Sequence, residues 1–253
     1  MEKQKNNIIA VASGKGGVGK TWLSITLTHL LARSGRRVLL FDGDIGLANV
    51  DVQLGLTPER DLSDVFAGKA RLRDVAFFYE EGGFHVIAGR SGSGSLSSLP
   101  DAVLAKLKTD LEELSTEYDT IIMDLGAGIE KTIRFLSTIA SRVVMVVTDE
   151  PTSLTDAYAF IKLCLQQPIK PDIQVIINQA MSQKEGEKTY ASINKACTSF
   201  LQYSPPLLGI IRKDNKVRDS IRSQKSILEI AAHSTATTDT AAISIRLMQN
   251  KAG

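Results

Sequence analysis

The chain has 253 residues, a hydrophobic content of 43% and a formal net charge of +2 at pH 7. This length and composition allow one large domain with a full core, and the small net charge gives no support to bulk nucleic-acid binding. Cys164 and Cys197 predict free buried thiols in a reducing compartment. The sequence has no apolar run long enough to cross a membrane, and residues 1–5 lack the apolar stretch of a signal peptide. We therefore predict a single cytoplasmic domain, residues 1–253.

Short, continuous apolar runs alternate with helical patterns from end to end. The runs predict strands at residues 8–12, 38–42, 84–88, 120–124, 143–148, 173–177 and 207–211. Continuous apolar runs are typical of parallel strands covered on both faces. Amphipathic helices are predicted between them, and the Ser/Gly-rich stretch 91–98 predicts a loop. We predict an α/β fold, a doubly wound, mostly parallel sheet of about seven to eight strands flanked by helices, with ligands at the carboxyl ends of the strands.

A glycine-rich loop follows the first predicted strand. Residues 14–21 are Gly-Lys-Gly-Gly-Val-Gly-Lys-Thr, which matches the phosphate-binding pattern G-x-x-x-x-G-K-[ST] between a strand and a helix. The glycines let the backbone N–H groups and the helix N-terminus face an anion. Lys20 is placed to reach the β- and γ-phosphates, and the Thr21 hydroxyl to bind Mg²⁺. The predicted contacts to a nucleoside triphosphate are Gly14, Lys15, Gly16, Gly17, Val18, Gly19, Lys20, Thr21 and Trp22.

Two predicted strands end in aspartate close to this loop. Strand 38–42 ends at Asp42 and is followed by Asp44, and strand 120–124 ends at Asp124. Carboxylates at strand tips beside a phosphate loop hold Mg²⁺, usually through water. We assign the metal site to Thr21, Asp42 and Asp124, with Asp42 supporting either the Mg²⁺ shell or the loop, and the orientation of the attacking water to Asp44. The predicted catalytic residues are Lys15, Lys20, Asp44 and Asp124. The alternative for each aspartate is a turn or helix cap.

Two later segments are candidates for binding the base of the nucleotide. Asn178 follows the strand 173–177, where its amide is placed to contact an adenine edge. Asp214 belongs to the segment after strand 207–211, which is placed to wrap around the base. A loop cap is the alternative role for Asn178.

The second lysine of the phosphate loop, Lys15, identifies a branch of the nucleotide-binding proteins. The run Lys15-Gly-Gly-Val-Gly-Lys-Thr21 resembles the deviant Walker A loop of the MinD/ParA family of P-loop NTPases. This resemblance implies an ATP-dependent homodimer with ATP and Mg²⁺ at the interface, in which Lys15 contacts the partner's ATP. It also implies slow hydrolysis that depends on a partner for stimulation.

Further segments narrow the resemblance. Residues 44–51 resemble the switch segment of the MinD branch. Residues 86–92, 124–128 and 150–158 resemble the FlhG family (also called FleN or YlxH), MinD-like ATPases that control the number and placement of bacterial flagella. The segment Glu150-Pro-Thr-Ser-Leu-Thr-Asp-Ala-Tyr158 is the most discriminating. The implied partners are an FlhF-type GTPase, flagellar switch or C-ring proteins and, in some bacteria, a flagellar transcription regulator. The implied location is the cytoplasm, including the inner face of the membrane or the cell pole.

Three alternatives stay open at this point. One is a regulator that binds ATP without hydrolysing it, against which the presence of Asp44 argues. The C-terminal segment 235–253 is either a helix packed on the core or a weak, dimer-enhanced membrane contact, since it has few basic residues for a surface-binding helix. The basic segment 212–225 is either a solvated face or the DNA-binding surface of a ParA-like partition ATPase. Acidic residues interrupt this segment, so DNA is the less favoured partner.

Overall fold

The computed structural model describes residues 7–89, 99–168 and 170–249. Within these ranges, eight strands form one sheet. They are β1 (Ile8–Ser13), β2 (Val38–Gly43), β3 (Phe77–Tyr79), β4 (Phe84–Ile87), β5 (Thr120–Ala127), β6 (Arg142–Val147), β7 (Asp172–Ala180) and β8 (Leu207–Arg212). The predicted Ser/Gly loop at 91–98, the chain start at 1–6 and the tip of the C-terminal segment at 250–253 lie outside the described residues.

The sheet has the strand order β3-β4-β2-β5-β1-β6-β7-β8. Among the described strands, only the β3–β4 pair is antiparallel. This arrangement confirms the predicted doubly wound, mostly parallel fold, and all seven predicted strands are present. The strand that the sequence analysis missed is β3, which has three residues and lies at the edge of the sheet. Its length is below what an apolar run must have to be recognised.

Helices connect the parallel strands and cover the sheet on both sides. They are α1 (Lys20–Arg33), α2 (Val50–Leu54), α3 (Leu62–Phe66), α4 (Asp101–Leu114), α5 (Lys131–Ile139), α6 (Pro151–Leu165), α7 (Gln183–Leu201), α8 (Asn215–Arg222), α9 (Ile227–Ile230) and α10 (Thr235–Gln249), with a 3-10 turn at Leu72–Val75. The core residues of α4, α5, α6 and α7 form one hydrophobic cluster, and those of α1, α9 and α10 form a second.

Strand β1 shows why the strands are apolar throughout. Ile8 and Ala10 belong to the first cluster, whereas Ile9 and Val11 belong to the second. Alternate side chains of a strand point to opposite faces of the sheet, so each face needs its own apolar set. The central position of β1 between β5 and β6 places the loop that follows it in the middle of the carboxyl edge.

The described part of the C-terminal segment packs on the sheet. Ile243 and Leu247 of α10 are each 1% exposed and belong to the second cluster. Ile243 occupies the space above Gly209 of β8, where a Cβ would collide with it. Ile245 points outward and is 58% exposed. This packing favours the core-helix alternative, because the apolar face of α10 is already used. Among the described residues, no helix combines the length and the apolar character needed to cross a membrane.

Candidate nucleotide-binding site

The loop between β1 and α1 has the backbone that its glycines predict. Gly17 and Gly19 have φ angles of 77° and 92°, in the left-handed region that side chains disfavour. Gly14 is required for a different reason, because a Cβ there would collide with the backbone of Asp156. The loop therefore curls at Gly17 and Gly19, and it lies against α6 at Gly14. The N-terminus of α1 opens directly from it, which is the geometry of an anion site.

Lys20 is held in position by the start of the loop. Its side chain is largely buried, and Nζ donates a hydrogen bond to Ser13 Oγ over 2.9 Å. The Ser13 hydroxyl in turn donates to the Lys15 carbonyl oxygen over 2.6 Å. Burial lowers the pKa of Lys20 from its ordinary value, while Asp124 and Asp44 act in the opposite direction. The Lys20 ammonium group is therefore held in a fixed position at the phosphate loop.

Asp124 ends the apolar part of β5 and is buried beside this ammonium group. Its Oδ1 accepts a hydrogen bond from Ser24 Oγ over 3.0 Å, and its carboxylate also accepts one from Thr21. Burial raises the pKa of Asp124 to about 6, against the opposing effects of Thr21, Lys20 and Ser24. The structure therefore brings together two predicted metal-site residues, Thr21 and Asp124, and ties both to α1.

Asp42 is completely buried and holds the segment that follows β2. Its Oδ1 accepts from the Asp44 backbone N–H over 3.2 Å. Its Oδ2 accepts from the backbone N–H groups of Asn49 and Val50, each over 3.1 Å. Burial and the neighbouring Asp124 raise the pKa of Asp42. In this structure Asp42 anchors both ends of segment 44–50, and its assignment to the metal site stays a prediction.

Asp44 faces a cavity of about 600 Å³ in front of the phosphate loop. Its Oδ1 accepts from the Leu47 backbone N–H over 3.3 Å. Gly126 of β5 passes close by, and a Cβ there would lie 3.0 Å from Asp44 Oδ1. Lys20 and Thr21 line the same cavity. A carboxylate, an ammonium group and a hydroxyl therefore converge on one space.

The side chain of Lys15 is bound within its own chain. Nζ forms an ion pair with Glu150 and donates to Thr152 Oγ1 over 3.0 Å, at the N-terminus of α6. Both residues belong to the segment 150–158 that the sequence analysis singled out. The structure therefore joins the phosphate loop to segment 150–158, and Lys15 has side-chain partners within its own chain.

A second cavity of about 430 Å³ adjoins the first, and Gly17, Gly19 and Trp22 line both. Asn178 lies here, but its Nδ2 donates to the Val18 carbonyl oxygen over 2.7 Å, and its Oδ1 accepts from the Gln179 N–H over 2.9 Å. In this structure Asn178 therefore has the loop-cap role that the sequence left as the alternative, and its contact with an adenine base stays a prediction. The structure adds that Asn178 supports the phosphate loop itself.

Asp214 also lines the second cavity and caps two helices. One oxygen accepts from the Lys216 N–H over 2.9 Å at the start of α8, and the other from the Ala236 N–H over 3.1 Å in α10. Burial opposes ionisation of Asp214, but these backbone donors outweigh it and lower its pKa. Both carboxylate oxygens of Asp214 accept hydrogen bonds from helix N-termini, so Asp214 acts as a helix cap in this structure. Its contact with the base of the nucleotide stays a prediction.

The two cavities together suit a nucleoside triphosphate with Mg²⁺. The first has the volume of a small-ligand site and combines a helix N-terminus with the ammonium group of Lys20. Mg²⁺ keeps most of its water and takes few protein ligands beside phosphate oxygens, so the Thr21 hydroxyl and the Asp124 carboxylate are a sufficient set.

Two serines in the site were missed at the sequence level. Ser13 positions Lys20, and Ser24 bonds to Asp124. The sequence did contain a signal for Ser24. It lies four positions after Lys20, one helical turn further along α1, and is therefore on the same face of the helix as Lys20. Ser13 ends a strand, where serine is too common to predict a contact.

Comparison with known sequences agrees with this site. Residues 9–227 match the CobQ/CobB/MinD/ParA nucleotide binding domain, so the chain belongs to this family of nucleotide-binding proteins. It is 41% identical over 222 residues to the antiactivator FleN of Pseudomonas aeruginosa, covering 88% of this chain and 79% of FleN. It is 34% identical to the flagellum site-determining protein YlxH of Helicobacter pylori, covering 90% of this chain and 77% of YlxH. The predicted resemblance to the FlhG (FleN, YlxH) family is confirmed.

Solved structures show the same fold. A chain of the MinC:MinD cell division protein complex from Aquifex aeolicus matches with a TM-score of 0.80 and 27% identity, over 96% of each chain. MinD from Pyrococcus horikoshii, solved with Mg-ADP, matches with a TM-score of 0.78 and 22% identity, over 97% of each chain.

Proposed function

We propose that this protein is a Mg²⁺-dependent ATPase switch that dimerises with ATP and regulates the number or placement of bacterial flagella. The observation that carries the nucleotide part is the convergence of Lys20, Asp44 and Asp124 around the phosphate loop. The flagellar part is supported by the 41% identity to FleN. The similarity to YlxH, whose name refers to flagellum sites, points in the same direction.

In this proposal, each step of ATP binding and hydrolysis has a residue of this chain to support it. Lys20 and the N–H groups of the loop would bind the phosphates, and Thr21 and Asp124 would hold the Mg²⁺ that neutralises their charge. Asp44, at the edge of the cavity, would orient the water that attacks the terminal phosphate. Asp44 belongs to the segment that Asp42 anchors, so its position depends on how that segment is ordered. A segment of this kind can change its order with the state of the nucleotide.

Dimerisation gives Lys15 its second role. In the single chain its ammonium group is held by Glu150 and Thr152, both exposed enough to exchange partners with a second chain. We propose that the triphosphate of the facing subunit competes for Lys15, so that the dimer forms only with ATP. Association with an FlhF-type GTPase, C-ring proteins or a flagellar transcription regulator belongs to the same proposal.

The cellular test is a clean deletion with flagella counted per cell by electron microscopy. Extra or misplaced flagella, with chromosomes and plasmids segregating normally, support the proposal. Complementation with wild type should restore the count, whereas Lys20→Ala should not. A normal flagellar pattern after deletion would contradict the flagellar role.

A ParA-like DNA partition function is the second candidate, and the basic segment 212–225 is its basis. Arg212 is paired with Asp239, and Lys216 with Asp219. Arg218 and Arg222 line the second cavity without an ion pair among the described residues. Steep salt dependence of binding to random-sequence duplex DNA, lost in Arg218→Glu, would favour this candidate. Loss of plasmids or anucleate cells after deletion would favour it as well.

A further inference from the structure

Two buried polar atoms beside the phosphate loop lack hydrogen-bond partners. Trp22 is 4% exposed, and its indole Nε1–H has no acceptor among the described residues. The Oε1 atom of Gln53, on α2, is also buried and has no donor among them. Trp22 and Gln53 line the same cavity. Of the six side-chain atoms in this condition in the described part of the chain, these are the two whose residues face this cavity.

The two atoms are chemically complementary. An indole N–H only donates, and an amide oxygen only accepts. A buried polar group without a partner costs free energy, so a pair of them at a functional site indicates that another conformation satisfies both. Neither atom is accessible from the cavity, so a ligand bound there would not reach them without a change in the protein. Each of the two atoms therefore supplies the kind of hydrogen-bonding group that the other lacks.

The location of Gln53 connects it to the nucleotide. Helix α2 begins at Val50, whose backbone N–H is held by Asp42 together with that of Asn49. The segment 44–49 before it lines the phosphate cavity. Trp22 directly follows Thr21 of the phosphate loop, and α1 and α2 are in contact. A ligand that orders segment 44–49 therefore acts on α2 and on the distance between Gln53 and Trp22.

We propose that Trp22 Nε1–H donates a hydrogen bond to Gln53 Oε1 in the triphosphate-bound state. Trp22 and Gln53 are then positioning residues that fix α2 against α1 and hold segment 44–50, including Asp44, in its hydrolytic position. The inference rests on the proposed function, because it takes ATP as the ligand.

The test uses Trp22 as its own reporter. The chain contains one tryptophan, so the full-length protein labelled with ¹⁵N-tryptophan gives a single indole N–H resonance. It is titrated with Mg²⁺ and either a non-hydrolysable ATP analogue or ADP, while calorimetry measures binding. We expect the indole proton to shift downfield and exchange more slowly with the analogue, and to respond less to ADP. In Gln53→Met these responses disappear, whereas in Gln183→Met, an exposed matched control on α7, they persist.

Affinity provides the second readout. Gln53→Met and Trp22→Phe should each weaken analogue binding by about fivefold, the effect of one net hydrogen bond, and the double variant should bind no more weakly than either. An unchanged indole resonance at saturating analogue, the same shift in Gln53→Met, or additive losses would overturn the inference. If calorimetry detects no analogue binding by the wild type, the proposed function itself fails. The two failures are thus distinguished.

Discussion

Ser24 Oγ donates a hydrogen bond over 3.0 Å to Asp124 Oδ1, and this contact joins the helix after the phosphate loop to the end of β5. The Asp124 carboxylate is buried, so each donor it has contributes to keeping it ionised. Its pKa is nevertheless raised to about 6. Ser24 therefore helps to keep Asp124 ionised near neutral pH, as the proposed role of Asp124 at the metal site requires.

Ser24→Ala should weaken Mg²⁺-dependent nucleotide binding. Loss of a residue that orients a metal ligand typically costs about 10–100-fold in metal affinity, and we expect a loss at the lower end because Thr21 still donates to Asp124. Thr28→Ala is the matched control, since Thr28 lies one turn further along α1 and its hydroxyl donates to the Ser24 carbonyl oxygen rather than to Asp124. Mg²⁺ titrations of ATP hydrolysis measure the effect. Equal Mg²⁺ affinity in Ser24→Ala and Thr28→Ala would show that Ser24 does not support the site.

Asp44→Ala should separate binding from hydrolysis. Asp44 lines the cavity, but Lys20, Thr21 and the loop remain in the variant. We expect ATP to bind with nearly unchanged affinity, the dimer to persist, and the turnover rate to fall by at least about 100-fold, as for removal of a general base. Single-turnover hydrolysis with radiolabelled ATP measures the rate. Wild-type turnover in this variant would remove Asp44 from the catalytic role.

Asn178→Ala distinguishes base recognition from support of the loop. Its amide donates to the Val18 carbonyl over 2.7 Å, so its loss should loosen the phosphate loop. We expect the affinities for ATP and GTP to fall by the same factor, about tenfold for the loss of a buried hydrogen bond. Calorimetry with both nucleotides measures the ratio. A selective loss of ATP binding would instead establish the adenine contact that the sequence predicts.

His29 should make stability depend on pH below neutrality. Its ring is buried in α1, Nδ1 lies 2.8 Å from Ser226 Oγ, and burial together with Arg33 lowers its pKa to about 4. As the pH falls from 6.5 towards 4, the His29 imidazole is protonated in the unfolded chain before it is protonated in the folded chain. Protonation therefore favours unfolding in that pH window. The stability advantage of wild type over His29→Gln should shrink across it, measured by urea unfolding. A difference constant with pH would contradict the lowered pKa.

Most of the fold could be predicted because strands buried on both faces must be apolar at every position. Strand β1 is an example, since its residues contribute alternately to the two hydrophobic clusters. The edge strand β3 escaped prediction because it is short and Phe78 is half exposed. The phosphate loop could be predicted from the residues of the loop alone, because they match the phosphate-binding pattern. Segment 44–50 was recognised, but its anchoring by Asp42 depends on backbone N–H groups that no residue pattern specifies.

Side-chain partners across the sheet were the least predictable feature. Lys15 and Glu150 are 135 positions apart, and their pairing follows only from the meeting of two strand ends in space. Asn178 and Asp214 line a cavity with residues of the phosphate loop, but their polar atoms are already bonded to backbone groups. Sequence spacing places a residue at an edge of the sheet, whereas its partners depend on the loops that cross there.

The central claim, a dimer controlled by ATP, is tested most directly by sedimentation velocity with Mg²⁺ and ATP analogue, ADP or no nucleotide. Wild type should double its mass only with the analogue. Lys15→Ala should bind the analogue, since Lys20 is intact, yet remain a monomer, and Lys184→Ala, an exposed control on α7, should behave as wild type. A wild type that stays monomeric at saturating analogue, or a Lys15→Ala variant that dimerises normally, would contradict the account.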